Sequence, residues 1–594
     1  MSTVRTPCGE PRIADAGKRT VVYGWVDRRR DMGGLVFVDL RDRSGVLQCV
    51  FNPQTAPGAH AAVEKVRLEW VLRIEGELRP RDPQNVNPRL GTGEVEMHVE
   101  TCEVLSAART PPFAVNEDTA VEESLRLRYR YLDLRRPTLQ RNMIARARFL
   151  QALRHAMVDQ GFLEIETPMM IRATPEGARD YLVPSRIFPG SFYALPQSPQ
   201  LYKQLSMVAG LDRYFQLARC MRDEDLRADR QPEFTQLDVE MSFVDEEDVQ
   251  TALETAIARA WAEAEFRGTV PTPFPRLTWR EAMDRYGSDK PDTRFGLEIH
   301  DLTETLRSTQ FRVFAGAIAA GGVVRAIAVK GGADMTRSEI EGELTDIVKS
   351  QGAKGLAYVW LREEGWTSNV AKLLSADELA GIGRITGAEA GDAVLMVADR
   401  YRVAVESLGA LRSHLGRKRG LVDEEQLNWL WVTEFPMFEE DRLTGAISPA
   451  HHPFTMVHSD DIDRLDSDPL TVRSRAYDIV LNGREIGSGS IRITDPAIQE
   501  RVFRAIGIDH DEAQRKFGFL LEAFQYGAPP HGGFAAGVDR LVMEGLREDN
   551  IRDVIAFPKN QQAQELMTGA PAPVDEAQLR ELGLQLIPQT QPKT

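Results

Sequence analysis

Only four cysteines occur in 594 residues, at positions 8, 49, 102 and 220, and none forms a CxxC pair. That scatter supports neither a disulfide framework nor a zinc site, so reduced and mostly buried thiols are expected. No apolar run reaches the ~18 residues that crossing a bilayer requires. The opening MSTVRTPCGEPRIADAG lacks the charged-then-apolar layout of a signal peptide, so a cytoplasmic chain with no membrane partner is expected. GxxxxGK[ST] is missing, which excludes a P-loop as nucleotide holder, and neither GxSxG nor HExxH offers a rival chemistry. Basic residues are in the minority, 73 against 89 acidic, for a net charge of −16. That balance argues against a generic nucleic-acid coat, while leaving room for a local basic surface. What is present, 42% apolar and 27% charged residues, describes a globular chain of several domains.

Two stretches run against the acidic average. Between positions 126 and 154 lie nine arginines (126, 128, 130, 135, 136, 141, 146, 148, 154) and one acid, Asp133. Some belong to a solvated helix face, and a contact with a phosphate backbone is expected of the rest. Earlier, Thr20–Val26, Leu35–Leu40, Val46–Phe51, Val71–Leu78 and Glu94–Val104 read as strands, with turns at Met32-Gly-Gly and Arg43-Ser-Gly. One helical patch, Ala59–Glu69, falls between the third and fourth. Five strands with a helix in that slot match the order of an OB-fold barrel, a holder of single-stranded nucleic acid. Arg28, Arg29, Arg30 and Phe37 supply a basic and aromatic surface, although Phe37 could equally be barrel core.

After the hinge at Pro111-Pro112, Met143, Ile144, Ala147, Leu150, Leu153 and Met157 recur at helical spacing and predict one buried face. Gly161 closes that helix, and Phe162–Thr167 reads as a strand. Ser198-Pro199 predicts another helix start, with Ser198 as N-cap. The expected division is 1–107 barrel, 108–140 hinge, 141–289 first half of a catalytic domain, 290–418 inserted α/β domain, 419–560 second catalytic half and 561–594 C-terminal extension.

The chemistry gathers in three places. From Gln236, the polar residues Gln236, Asp238, Glu240 and Ser242 alternate with Leu237, Val239, Met241 and Phe243. Side chains alternate across a strand, so one face enters a core while the other lines a polar cleft. Carboxylates there suit an ammonium group, and Arg222, just upstream, suits a polyphosphate. Second, Asn482-Gly483 is a strong hairpin signal that pairs Leu481 with Arg484, Val480 with Glu485 and Asp478 with Gly487. Asp478 and Glu485 then lie diagonally on one face and suit a hard cation such as Mg²⁺ carried on phosphates; a solvated acidic hairpin is the alternative. Gly487 and Gly489 would leave a bare floor for a flat ring. Strict alternation sends Arg492 to the opposite face from Glu485, so a bulge between Gly487 and Ser490 is predicted. Third, His531 to Arg540 is a glycine-rich turn into a helix, where helix-start amides attract anions and Arg540 can grip a terminal phosphate.

Together these segments resemble the three signature motifs of the class II aminoacyl-tRNA synthetases. Motif 1 would be the helix ending at Gly161 with Phe162–Pro168, motif 2 the Arg222/Glu224 strand pair, and motif 3 Gly533–Arg540. Thr174–Asp180, Gln197–Gln204, Phe234–Glu240 and His451–Thr455 narrow the resemblance to the bacterial-type aspartyl-tRNA synthetases. It implies an α+β multidomain fold: an N-terminal OB barrel, an antiparallel catalytic sheet and an inserted α/β domain similar to the GAD domain. It also implies ATP-dependent activation of L-aspartate to aspartyl-adenylate, and transfer to tRNA-Asp by a homodimer. The relatives that also charge tRNA-Asn are the close alternative, and a non-catalytic tRNA-binding paralogue the distant one.

By the same resemblance Glu176, Ser198, Gln200 and Asp238 belong to the aspartate site, the first, third and fourth on its ammonium side. Lys203 and Arg492 match the side-chain carboxylate, and His451 closes over the substrate. Arg222 would meet the α-phosphate. Asp223, Glu224, Gln231, Gly537, Val538 and Asp539 belong to the ATP site, with Arg540 on the γ-phosphate. Asp478 and Glu485 would hold Mg²⁺; Arg222, Glu485 and Arg540 are the catalytic set. In the barrel, Arg28, Phe37 and Gln48 would meet the anticodon, and Met32 and Gln84 align with positions tied to tRNA range. Ser488 stands where the family usually has glycine and is expected to point away from the ligand. Ala536 replaces a bulkier residue and is expected to loosen the adenine pocket slightly.

Overall fold

A computed structural model describes residues 5–173, 178–224, 230–441 and 444–587. The chain forms two compact units, Met1–Ile144 with Ile555–Ala572, and Ala145–Val554 with Pro573–Thr594.

In the first unit, strands Arg19–Met32, Leu35–Asp42, Gly45–Phe51, Val71–Pro80 and Val95–Ser106 close into a barrel in the order first, second, third, fifth, fourth. Helix Pro57–Val63 occupies the expected slot and ends earlier than the pattern suggested. Gly33 and Gly34 adopt φ +65° and +92° and turn the first hairpin within two residues. Val36, Val38 and Leu40 are fully buried in the barrel core. Phe37 therefore stands on the outer face, half-buried, opposite Arg30 and Val50.

The arginine-rich stretch departs from expectation. Arg126, Arg130 and Arg136 converge on the fully buried carboxylate of Asp133 at 3.1, 2.7 and 3.5 Å. Arg135 pairs with Glu69 at 3.0 Å and covers the Trp25 ring. Arg148 and Arg154 pair with Glu265 and Glu164. Arg126, Arg130 and Arg136 are thus internal clamps rather than a phosphate-binding surface, because the single acid in the stretch is buried and draws three at once, while Arg148 and Arg154 pair at the surface.

In the second unit, eight strands form one sheet in the spatial order Arg276–Thr278, Trp429–Thr433, Ala476–Leu481, Arg484–Ile491, His531–Gly537, Glu233–Ser242, Arg213–Met221, Leu163–Glu164. It is antiparallel except for the pair at each end. Leu237, Val239, Met241, Trp431, Tyr477 and Phe534 fill its apolar face, where the Tyr477 and Phe534 rings stack at 6.3 Å and Trp431 meets both edge-on. Helix Glu246–Glu263, started by a capping box at Asp245, is joined to this face by Trp431 Nε1 donating to Glu254 Oε1 at 2.8 Å. Phe243 lies past the strand end at φ +57° and is exposed, so the alternation stops at Ser242. The predicted glycine-rich turn from His531 is itself a strand, paired on both edges.

Helix Pro137–Asp159 buries Asn142, Ala145, Phe149, Ala152, Leu153, Ala156 and Met157, whereas Ile144 is exposed. The true face is rotated from the predicted one because alanines and Phe149, which packs 5.1 Å from Phe266, make the close contacts. A separate five-stranded antiparallel sheet, Ile299–Asp301, Val323–Val329, Asp392–Asp399, Ala357–Arg362 and Gly365–Thr367, carries helix Tyr401–Lys418.

Candidate active site

The polar face of the large sheet is assembled by cross-strand rows. Asp238, Ala535, Ser488 and Asp478 stand side by side, and next to them Glu240, Gly533, Ser490 and Ala476. A bulge makes these rows possible. Val480 pairs with Glu485, yet Ile479 pairs with Gly487, so Ile486 is the extra residue. The irregularity lies one residue before the predicted stretch and has the predicted effect: Glu485, Ser488, Ser490 and Arg492 share one face.

The same register reverses four expectations. Ser488 points into the cleft and hydrogen-bonds Asp478, which consequently pairs with Ser488 and not with Gly487. A Cβ on Gly487 or Gly489 would strike the Phe534 ring, so these glycines make room for the aromatic core and not for a ligand. Ala536 is fully buried on that core side, away from the cleft. In the neighbouring strand it is Ala535 that lines the cleft, while Glu240 covers Gly533.

Four buried charges close one end of the face. Lys203, on helix Gln200–Val208, donates through Nζ to Asp238 Oδ1 at 2.7 Å and lies 3.4 Å from Glu240 Oε2. Arg492 reaches the same carboxylate, with Nε 2.9 Å from Oε1 and an NH2–Oε2 distance of 3.1 Å. The two cations predicted to read a carboxylate therefore converge on Glu240, which the strand alternation had put on this face as a carboxylate suited to an ammonium group. Burial tends to raise the Glu240 carboxyl, but Arg492 and Lys203 hold it below its ordinary range. Asp238 is pushed up to about 6 by burial, against the pull of Lys203. Gln200 and Gln204 are hydrogen-bonded one turn apart on the same helix, and Gln204 Nε2 lies 3.2 Å from His531 Nε2. The helix begins at Gln200 with Pro199 as N-cap, so Ser198 is not the cap; its Oγ accepts from Gln200 N at 3.3 Å. Glu176 lies outside the described residues.

The two histidines divide between the charge centres. His452, not His451, touches Arg492, at 2.5 Å from Nε2 to NH1, and burial beside that guanidinium holds its imidazole well below the usual range. His451 Nε2 lies 3.3 Å from Asp478 Oδ1. Burial opposes its charging, yet the Asp478 carboxylate wins and raises it.

Beside this end opens a cleft of about 490 Å³, lined by Arg222, Glu224, Gln231, Glu485, Gly537 and Arg540 among others. Arg222 stacks over Phe234 at 5.2 Å; Phe234 also lines the cleft, and nothing but its place in the motif marked it. Glu224 is paired with Arg230 at 2.9 Å. Three assigned ATP residues have other engagements. Val538 is fully buried, so only its backbone at the start of helix Val538–Leu546 can face a ligand. Asp539 is buried and accepts from Thr235 N at 2.8 Å and lies 2.5 Å from Arg146. Asp223 is bridged to Arg179 and does not line the cleft.

Asp478 and Glu485 are two hard oxygen donors on one face, as predicted. Burial raises the Asp478 carboxyl; Glu485 is held low, against burial, mainly by the ammonium of Lys290 at 2.7 Å. A cation already stabilised at Glu485 fits a Mg²⁺ site. Among the described residues no group of three or more His, Cys, Asp or Glu could hold a metal alone. A metal here would therefore complete its shell with water or with substrate phosphates.

Residues 122–561 match the model of the tRNA synthetases class II (D, K and N), and residues 20–105 that of the OB-fold nucleic acid binding domain. The chain is 52% identical, over 98% of each sequence, to a protein of Caldanaerobacter subterraneus subsp. tengcongensis named aspartate–tRNA(Asp/Asn) ligase. A Geobacillus kaustophilus protein named aspartate–tRNA ligase is 51% identical over 98% of each. Among solved structures, the aspartyl tRNA synthetase of Entamoeba histolytica aligns with TM-score 0.57 at 20% identity, covering 94% of this chain and 92% of that one. Asparaginyl-tRNA synthetase of Pyrococcus horikoshii aligns with TM-score 0.58 at 20% identity, covering 93% and 98%. At that identity these two speak to the fold alone.

Proposed function

We infer the chemistry of this cleft from one premise: the chain belongs to the class II tRNA synthetases of the D, K and N group. Its activity is that of an aspartate–tRNA ligase, which activates L-aspartate with ATP to aspartyl-adenylate and pyrophosphate and then loads the 3′ end of tRNA-Asp. The observation that carries the choice of amino acid is the convergence of Lys203 and Arg492 on one buried carboxylate. Two cations fixed there suit the side-chain carboxylate of aspartate. Glu240 and Asp238 already balance these cations, so what aspartate offers over neutral asparagine is charge-assisted hydrogen bonding to Lys203 and Arg492 in a buried place. Asp238 and Gln200 take the ammonium, so the α-carboxylate is left free to attack. Glu176 is assigned to the same group by the resemblance.

No covalent nucleophile is required of the protein. Arg222 neutralises the α-phosphate where charge develops, Arg540 grips the distal phosphate, and the amides at Gly537 and Val538 face it from the helix start. Gln231 and Glu224 border the adenine end, with Phe234 beneath. Asp478 and Glu485 would hold Mg²⁺, which when bound offsets charge on the phosphates. Measuring aspartate-dependent ATP–pyrophosphate exchange against asparagine tests this reading; aspartate should be favoured by about 10³-fold or more.

The remaining assignments are proposals of the same kind. The barrel takes the anticodon through Phe37, Arg28 and Gln48 on its outer face, with Met32 and Gln84 at its exposed rim. Residues 1–107, 108–140, 141–289, 290–418, 419–560 and 561–594 act as barrel, hinge, catalytic halves around an insertion, and tail. A homodimer is supported by the apolar side chains of Ile144, Val158 and Leu163, which remain exposed along the motif 1 helix and strand. Cytoplasmic location accords with the absence, among the described residues, of a helix long and apolar enough to cross a membrane. A second reading, charging of tRNA-Asn as well, is favoured by relatives near 50% identity that are named for both tRNAs; charging purified tRNA-Asp and tRNA-Asn side by side tests it.

A further inference from the structure

Lys290 stands at the metal-binding carboxylate without any part in the assignments above. Its Nζ lies 2.7 Å from Glu485 Oε2, and it lines the same cleft as Arg222 and Arg540. The backbone that carries it is braced. Ser288 Oγ accepts from Lys290 N at 3.0 Å, and Arg294 holds both oxygens of Asp292 at 3.0 and 2.8 Å. Arg412, almost fully buried between the Tyr286 and Phe295 rings, donates to the carbonyls of Asp292 and Phe295 at 2.7 and 2.8 Å. Asp292 in turn abuts Gly483 in the turn of the Asp478–Glu485 hairpin. The side chain, by contrast, is 42% exposed on a flexible four-carbon stem. A fixed base with a mobile cation beside an open phosphate cleft is a device for moving charge between two partners.

We propose that Lys290 holds Glu485 in the nucleotide-free enzyme, yields that carboxylate to the metal when metal–ATP enters, and then pairs with the oxygens of the pyrophosphate leaving group. This rests on the reading of Glu485 as a metal ligand. One ammonium cannot hold the carboxylate at full strength while a divalent cation does, so ammonium and metal compete at Glu485. Once displaced, the ammonium stays tethered in a cleft whose ligand carries several negative charges. The braced segment Ser288–Phe295, where the chain enters the inserted domain, thereby acquires a function: it positions this cation.

Mn²⁺ binding to the nucleotide-free full-length enzyme, followed by electron paramagnetic resonance, tests the competition. ATP–pyrophosphate exchange tests the leaving-group contact. Lys290→Met should bind Mn²⁺ about tenfold more tightly and raise the KM for pyrophosphate about tenfold, with the KM for aspartate unchanged. Lys290→Arg, which keeps a cation, should restore most of the pyrophosphate KM. Unchanged Mn²⁺ affinity or an unchanged pyrophosphate KM in Lys290→Met overturns the proposal. Glu485→Gln distinguishes the underlying reading: it should lose Mn²⁺ binding, and if it binds Mn²⁺ like the parent enzyme the metal assignment fails and the role of Lys290 falls with it.

Discussion

Asp238 is the side chain whose behaviour follows most directly from its surroundings. Burial lifts its carboxyl to about 6, so in the folded protein it takes up a proton at a pH where an exposed aspartate would remain charged. A carboxyl raised in this way favours the folded state most fully below about pH 4, and that contribution is lost as pH rises through about 6. With Asp238 proposed to take the substrate ammonium, the functional sign is opposite, because only the ionised form attracts it. Exchange kcat/KM for aspartate should therefore fall by up to about tenfold per pH unit below pH 6. Replacing Asp238 by Asn should flatten that limb while lowering the plateau; a pH profile of both enzymes checks it. Arg222 is proposed to act on the other substrate. Stacked on Phe234 and not tied into the core, its removal in Arg222→Ala should cut exchange by about 10²–10³-fold with an unchanged unfolding midpoint. Near-normal exchange would remove it from the reaction. At this scale motif spacing brought out Arg222, Lys203, Arg492 and Asp478. It was silent on Glu240 as the shared anchor and on Lys290, because neither pairing is local in sequence.

Single elements decide which side chains meet. The bulge at Ile486 converts a strict alternation into a face that Glu485 and Arg492 share. Its existence was legible from the conflict between those two residues. Its position was not, and from that one-residue error followed the wrong orientations of Ser488, Gly487 and Gly489. Gly533 matters for a steric reason in the neighbouring strand: a Cβ there would run into Glu240 Oε2 and the Val239 carbonyl. Gly533→Ala should displace Glu240 and raise the KM for aspartate by at least about tenfold, the cost of losing one charge-assisted contact. Conversely, the arginine-rich stretch looked like a nucleic-acid surface because density of charge is visible in a sequence and burial of its partner is not. Asp133→Asn should leave Arg126, Arg130 and Arg136 uncompensated and destabilise the barrel-bearing unit by about 3–5 kcal/mol, read from its thermal unfolding transition.

Across the whole molecule, the barrel proposed to meet tRNA and the sheet proposed to activate the amino acid are separate folded structures. The barrel was legible almost strand for strand, since its core obeys period-two alternation and its turns are marked by glycine. Phe37 was ambiguous by pattern, and the closed barrel resolves it to the outer face. Phe37→Ala should lower kcat/KM for tRNA charging by about 5–100-fold through lost base stacking and leave aspartate-dependent exchange unchanged; a parallel assay of both reactions checks the separation. The central claim is that Lys203 and Arg492, held on one buried carboxylate, select the dicarboxylic amino acid. The most direct measurement is aspartate-dependent ATP–pyrophosphate exchange by Lys203→Met, with the unfolding midpoint recorded alongside. A loss of about 10³-fold or more in kcat/KM for aspartate, with the KM for ATP unchanged in a folded protein, is the expected result. A value for aspartate within tenfold of the parent enzyme would contradict it.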